Sequence, residues 1–249
     1  MSNDELSNEF DIYYNNISSN AAPGLNEYEK SVIFTRAEIE VLKNYFNPKG
    51  NKYQEGFDDS QKRQIDFSNL IKVVKPTENN SLMNSVQKMD DRSVLFEIPE
   101  DVLFVINETA NVTYDGKYKH KINIVPIHYD EYSIMMSKPF KQPYKHQGWR
   151  LINSNSKRLA EIIVKADAEM EDYTMRYVRF PKPIILKDLD GEMEDGSFYD
   201  LSIMGYTKRM ECELDSSLHH EILQRAVEIA KNSWQGDLNS SLQLGMRAE

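Results

Sequence analysis

Val102-Leu103-Phe104-Val105-Ile106-Asn107-Glu108-Thr109-Ala110-Asn111-Val112-Thr113-Tyr114-Asp115-Gly116-Lys117-Tyr118-Lys119-His120-Lys121-Ile122-Asn123-Ile124-Val125-Pro126-Ile127 is the stretch on which the fold turns. Both halves are rich in β-branched and aromatic residues, which suit a pleated surface. Asp115-Gly116 stands between them, and Asp-Gly between two such runs favours the tight turn of a hairpin. The expectation is a long hairpin whose arms, 102–114 and 117–127, reach beyond a compact body. Val94 to Ile98 reads as a further short strand, as do Trp149 to Ile152, Arg158 to Lys165 and Tyr173 to Phe180. Pro181 and Pro183 mark an edge or an exit. Residues 128–137 read as a short helix that stops before Lys138-Pro139.

Helices flank this region. After Pro23-Gly24, residues Leu25, Tyr28, Val32, Thr35, Ile39, Leu42 and Phe46 recur in steps of three and four, which places them on one helical stripe. Glu27, Glu29, Lys30, Arg36, Glu38, Glu40 and Lys43 fall on the other faces. Asn47-Pro48-Lys49-Gly50 ends the run. Asp58-Asp59-Ser60 suggests the cap of a shorter helix through about Ile65. Phe67, Leu70, Ile71, Val73 and Val74 read as a strand or an extended segment, and 75–92 as a polar loop with room for one short helix. Asp215-Ser216-Ser217 offers cap oxygens to a last helix with Leu218, Ile222, Ala226, Ile229, Ala230 and Trp234 on its apolar face. Helices, then a meandering sheet, then a helix indicate α+β, with an antiparallel sheet at the centre. The expected organisation is an N-terminal arm over 1–24, whose Phe10, Ile12, Tyr13, Tyr14 and Ile17 form one helical turn or dock elsewhere. One domain follows over 25–234, with its helical part at 25–75 and 215–234 and its β part at 94–186. A tail over 235–249 carries Leu242, Leu244 and Met246.

The chain has 249 residues, 30 Lys and Arg against 40 Asp and Glu, and a formal net charge of −10. That balance argues against a general duplex-DNA binder, which needs a positive face to displace counterions from phosphates. A single cysteine, Cys212, rules out an internal disulfide framework and a cysteine-rich zinc fold. The longest apolar run, Val102 to Ile106, falls far short of the roughly 20 residues that span a bilayer. Met1 to Leu6 is acidic and lacks the apolar core of a targeting peptide, so a cytosolic type of protein with no membrane association is expected.

The residues offer little to catalysis. His219-His220-Glu221-Ile222-Leu223-Gln224 approaches a zinc-protease helix, but Gln224 stands where a second imidazole is needed one turn on. The two histidines read as solvated first-turn residues. No phosphate loop, dinucleotide fingerprint or nucleophile elbow occurs. Cys212 lies between Glu211 and Glu213, whose charges raise a thiol pKa, the wrong direction for a nucleophile. The acidic runs Asp90-Asp91, Asp188-Asp190 and Glu192-Glu194-Asp195 read as solvated loops without calcium-loop spacing. No metal or cofactor site is expected. The one locally positive stretch comprises Lys117, Tyr118, Lys119, His120 and Lys121, then Lys138, Phe140, Lys141, Tyr144, Lys145, His146, Trp149 and Arg150. It admits three readings: a nucleic-acid contact, a surface for the acidic face of a neighbouring copy, or a hairpin tip whose lysines are simply solvated. Tyr118, Lys119, Phe140, Lys141 and Tyr144, with Leu242, Leu244 and Met246 of the tail, are the candidate interface residues.

Three segments together resemble virion structural proteins of crAss-like, short-tailed bacteriophages, within them the head–tail connector or ring proteins. They are Ala22-Pro23-Gly24-Leu25-Asn26-Glu27-Tyr28-Glu29-Lys30-Ser31-Val32; Lys43 through Ser60, running on to Phe67; and Arg176-Tyr177-Val178-Arg179-Phe180-Pro181-Lys182-Pro183-Ile184-Ile185-Leu186 with Leu214 and the helix from Leu218 to Ala230. The resemblance spans about 10–234. It implies a non-enzymatic subunit of a homo-oligomeric ring, commonly of twelve copies. Portal protein would lie on one side and other connector or tail-hub proteins on the other, with genomic DNA passing through the lumen unbound. It places the chain in the virion neck after assembly in the host cytoplasm. Acidic side chains such as Asp188, Asp190, Glu192 and Glu194 would then face the channel and repel phosphate. A nucleic-acid-processing or metal-dependent phage enzyme, and a tail-fibre or scaffold protein, are the alternatives. The absence of a complete catalytic motif weighs against the first.

Overall fold

Side chains alternate along a strand, so each strand offers one face to a core. Between Ile71 and Arg179 the chain uses this to build one of its two compact units; Met1–Leu70 and Phe180–Glu249 form the other. The computed structural model describes residues 1–17, 24–46, 67–76, 88–90, 93–114, 116–153, 159–192 and 198–235. The short helix expected from Asp58 to Ile65, the stop at Asn47 to Gly50 and the 235–249 tail beyond Gln235 lie outside these.

In the unit from Ile71 to Arg179, β1 (Ile71–Val74), β2 (Val94–Glu97), β3 (Val102–Tyr114), β4 (Tyr118–Pro126), β5 (Gln147–Asn153), β6 (Leu159–Ile163) and β7 (Ala168–Arg179) form one sheet in the order β1-β7-β3-β4-β5-β6-β2. The expected hairpin is β3–β4, with Tyr114 opposite Tyr118 and Thr109 opposite Asn123. Gly116 adopts φ +65° in its turn, a conformation open to glycine without a Cβ clash. β3 also runs antiparallel to β7 through three register shifts, which add twist. One pair departs from the expected antiparallel pattern: β4 and β5 are parallel, from Asn123–Gln147 to Pro126–Arg150. A parallel pair needs a crossover. Residues 127–146 supply it and contain helix α3 (Tyr129–Met136), the short helix read from the sequence.

Ala110, Val112 and Tyr114 of β3, Ile122 and Ile124 of β4, and Tyr173, Met175 and Tyr177 of β7 bury in one cluster. Trp149 and Leu151 of β5 and Ile163 of β6 bury in a second with Ile127 and Tyr132. Gly148 sits where a Cβ would stand 2.8 Å from Ile124 Cδ1 and 3.1 Å from the Ile163 carbonyl, so this close approach needs a glycine. β6 is buried along its whole length. Its Glu161 is tolerated because Oε1 accepts from the backbone N–H groups of Met89 (2.8 Å) and Asp90 (3.1 Å) and from the Ser93 hydroxyl (2.7 Å).

A second buried carboxylate, Glu108, accepts a hydrogen bond from the Tyr173 hydroxyl and lies 3.2 Å from Arg150 Nε. Burial raises its pKa above the ordinary value even though Arg150 and the Tyr173 hydroxyl pull the other way. The native state therefore holds this proton more tightly than the unfolded chain. Stability tied to Glu108 is complete below the unfolded-state pKa and is lost as pH rises through the native one. Glu108→Gln should remove that falling limb from the stability curve, and Arg150→Met should cost about 3–5 kcal/mol at the alkaline end of the range, where an ionised Glu108 would be left as an unpaired buried charge. Urea titrations over roughly pH 4 to 8 test both, and identical curves for wild type and Glu108→Gln would refute the pH assignment.

The other unit is built from α1 (Asn3–Ile17), α2 (Glu27–Phe46), α4 (Ser216–Gln235) and an extended segment after Phe180, with a small antiparallel pair, β8 (Asp190–Glu192) and β9 (Phe198–Asp200). Helix α4 begins as read: Asp215 Oδ1 accepts from the Ser217 N–H at 2.9 Å. Leu218, Ile222, Ala226, Ile229 and Ala230 are buried, joined by Leu223 and Val227. The segment anticipated as an arm is helical over residues 3–17. Leu6, Phe10 and Tyr14 recur every fourth position and are buried, with the Phe10 ring 5.4 Å from Phe34.

The stripe read for α2 is rotated in the structure. The buried residues are Lys30, Ser31, Phe34, Thr35, Ala37, Glu38, Glu40, Val41 and Leu42, while Val32 is exposed. The cause is polar. Thr35 Oγ1 accepts from the Ile184 N–H at 3.1 Å, and Ser31 Oγ accepts from the Leu186 N–H at 3.0 Å. Lys30 Nζ spends its donors on Asp11 (2.7 Å), Ser7 (3.1 Å) and Glu27 (3.2 Å). Desolvation disfavours that ammonium, yet its hydrogen bonds and the two carboxylates keep its pKa raised. Thr35→Val keeps the shape and deletes the acceptor, so it should destabilise the chain by about 1–3 kcal/mol in chemical denaturation. An unchanged midpoint would mean that Ile184 finds another acceptor.

Candidate interaction surface

The loop that follows α3 has few ways to bury its side chains. Pro139 opens a one-turn 3-10 helix, Pro139–Lys141, and Gln142 Nε2 closes it on the Met136 carbonyl at 2.7 Å. Such a short turn projects its residues outward, and Phe140 is fully exposed. The parallel pairing of β4 with β5 then draws the loop alongside the hairpin: the Asn123 N–H donates to the His146 carbonyl at 3.1 Å, and the Tyr114 hydroxyl donates to the Lys145 carbonyl at 3.0 Å. The His120 and His146 rings meet edge to face at 5.9 Å, and Tyr144 meets His146 at 6.4 Å.

Two segments separated in sequence thus form one surface. Tyr118 is 64% exposed and Tyr144 56% exposed beside Phe140. Lys117, Lys119, Lys121, Lys138, Lys141 and Lys145 are exposed around them. Lys119 pairs with Glu171 on β7 at 2.9 Å, and its hydrogen bond, with that of Thr113, lowers the Glu171 pKa. A cavity of about 400 Å³ lies under the loop, bordered by Met136, Phe140, Pro143, Tyr144, Val164 and Lys165. All five candidate residues outside the tail, Tyr118, Lys119, Phe140, Lys141 and Tyr144, are therefore surface residues of this unit. Trp149 and Arg150, read with the same patch, do not belong to it. Trp149 is buried against Tyr132, and Arg150 is spent on Glu108. Leu242, Leu244 and Met246 lie outside the described residues.

Asp91, Glu194 and Asp195 lie outside the described residues, and several of the other residues weighed for chemistry make local contacts. His219 is buried rather than solvated: Nε2 meets the Leu214 carbonyl at 3.1 Å, and burial lowers its pKa. His220 is exposed and contacts Gln224 at 3.1 Å. Asp188 accepts from the Arg209 N–H at 2.6 Å, and Asp190 pairs with Lys208 at 2.8 Å, so both acidic loop residues are partly spent locally. Asp90 is buried, its backbone N–H held by Glu161. Among the described residues no group of three or more His, Cys, Asp or Glu could hold a metal, and no helix is long and apolar enough to cross a membrane.

The apolar patch read in the arm divides on α1, with Phe10 and Tyr14 buried and Ile12 and Tyr13 facing outward; what the sequence reading missed is that the helix runs over 3–17. There Ile12 is 56% and Tyr13 42% exposed on a helix with Asp4, Glu5, Glu9 and Asp11 and neither lysine nor arginine. The Leu6-Phe10-Tyr14 spacing was the available signal.

Cys212 has its thiol pKa pushed well up by burial first, then by Glu38, whose Oε1 accepts from Sγ at 3.4 Å; Glu213 adds the least. The cause is thus chiefly burial, not the flanking charges alone. The folded chain should react with a thiol reagent at pH 8 at least tenfold more slowly than the urea-unfolded chain. Equal rates would place the thiol in solvent.

A family model described as phage tail ring protein 3/4 matches residues 1–242. Ring protein 4/5 of Bacteroides phage crAss001 is 48% identical over 250 residues, covering all of both chains. Ring protein 3 of the same phage is 32% identical over 237 residues, covering 92% of this chain and 95% of that one.

Proposed function

This chain belongs to the phage tail ring protein 3/4 family of crAss-like phages, and on that premise we propose that it is the repeating subunit of a ring in the virion's head–tail connector, stacked below the portal. Its role is structural. The observation that carries the reading is the end-to-end match to Ring protein 4/5, which aligns the whole of this chain with the whole of a ring protein.

The physical features support it. A subunit held on several sides needs surfaces rather than a pocket, and the loop bearing Phe140 leaves a whole aromatic side chain in water. Covering a phenylalanine is worth roughly 1.5–3 kcal/mol. Head-to-tail contacts repeat that gain at every interface and close into a ring when the rotation per copy fits. The ring has twelve copies and meets portal protein on one side and other connector or tail-hub proteins on the other. Tyr118, Lys119, Phe140, Lys141 and Tyr144, with Leu242, Leu244 and Met246 of the tail, make its contacts. Genomic DNA passes through the lumen without specific binding, since a subunit of net charge −10 repels phosphate. The subunit makes no covalent change in any substrate and needs no cofactor; it assembles in the host cytoplasm and remains in the virion neck.

Native mass spectrometry of the purified chain, alone and with its portal protein, should show a closed ring. Removing residues 236–249, or substituting Phe140→Ala with Tyr144→Ala, should lower the ring fraction without changing the circular dichroism of the subunit. A chain that stays monomeric in both settings, or a mature virion that lacks it, would overturn the reading.

A further inference from the structure

The exposed loop and the exposed helix face are complementary in both charge and apolarity. The loop at 138–146 carries Lys138, Lys141 and Lys145 and no acidic residue, with Phe140 fully exposed among them. Lys138 and Lys141 form no salt bridge among the described residues. Lys138 caps the 3-10 turn that Lys141 ends, and the Lys141 N–H donates to the Lys138 carbonyl at 2.9 Å. Helix α1 presents the opposite set. Arg209 shares Asp4 at 3.2 Å and Lys30 holds Asp11 at 2.7 Å, whereas Glu5 and Glu9 have no cationic partner among the described residues. Glu5 accepts the Ser2 N–H at 2.8 Å. Glu5, Glu9 and Tyr13 recur every fourth residue, one turn apart on a common face. Ile12 stands beside Tyr13, and the Tyr13 ring lies 6.2 Å from exposed His220.

Resting on the ring reading above, we infer that the 138–146 loop of one copy seats on the outer face of α1 of the next copy. Phe140 packs on Ile12 and Tyr13, and Lys138 and Lys141 pair with Glu5 and Glu9. The contact joins two different surfaces, so it is head-to-tail, the type that repeats around a ring. A second copy is the occupant because it brings both halves of the match: cations where this surface has carboxylates, and a bare aromatic where it has bare apolar side chains. A nucleic acid would satisfy the lysines but not helix α1.

Charge exchange with mixing tests this. One variant carries Lys138→Glu and Lys141→Glu. The other carries Asn8→Lys and Glu9→Lys, which leaves Asp4 and Glu5 in the first turn and so preserves the helix dipole interaction. Both should keep the wild-type circular dichroism and melting temperature. At a concentration where wild type is fully assembled, each alone should show at least a tenfold smaller ring fraction by native mass spectrometry. Mixed in equal amounts they should recover it, in rings whose mass shows equal numbers of the two variants, because each reversed surface then faces its reversed partner. Single variants that assemble like wild type, or a mixture no better than its components, overturn the inference while the ring stands. Loss of DNA retention in the loop variant with assembly intact also overturns it. Wild type that forms no ring, alone or with portal protein, defeats the ring reading itself and this contact with it. If the α1 variant proves unstable, Ile12→Ser, a change at an exposed position, should reduce assembly on its own, and wild-type assembly by that variant counts against the contact.

Discussion

Backbone N–H groups that leave solvent must find acceptors, and in the helical unit this requirement sets the arrangement. The extended segment around Ile184 to Leu186 is buried and has only an isolated bridge, Ile185 to Met210, as regular pairing. Its outward N–H groups are met by Thr35 and Ser31, one helical turn apart on α2. A hydroxyl can accept from the strand while donating to its own helix, and both do so: Ser31 to the Glu27 carbonyl at 2.6 Å and Thr35 to the Ser31 carbonyl at 2.8 Å. An aliphatic stripe on that face would leave two buried donors unpaired. Asn3 extends the same logic, donating to the carbonyls of Ile185 and Met210 on the two sides of the bridge.

The sheet unit meets the same demand with charges. Glu108 and Glu161 are both nearly inaccessible: Tyr173 donates to Glu108 with Arg150 Nε 3.2 Å away, and two backbone N–H groups and Ser93 donate to Oε1 of Glu161. Buried ion pairs often contribute little to net stability, because desolvation offsets their attraction. They do disfavour a strand register in which either partner is left alone. Here Glu108 on β3, Arg150 on β5 and Tyr173 on β7 tie together strands contributed by distant parts of the chain.

With both cores closed by polar detail, the surface is where the family's role is expressed. A ring subunit is defined by what it leaves uncovered. The loop after α3 leaves Phe140 and its lysines, and the amphipathic α1 leaves carboxylates beside Ile12 and Tyr13. Relatives called Ring protein 4/5 and Ring protein 3 in one phage align along nearly the whole chain.

Much of this was legible in the amino acids alone. Asp115-Gly116 between two β-favouring runs locates the hairpin, and the 3.6-residue period of Leu218 to Ala230 locates the last helix. These are local properties, decided within a few residues by turn chemistry and periodicity. Tertiary structure decided which face of α2 is buried, that β4 and β5 run parallel, and that Trp149, Arg150 and His219 leave the surface while Phe140 and Tyr144 stay on it. Each of those depends on a partner more than a dozen residues away or on the packing of a neighbouring element. A lysine on a helix reads as solvent-facing until Asp11 and Ser7 arrive from another helix to accept its hydrogen bonds, and no pattern within α2 announces them.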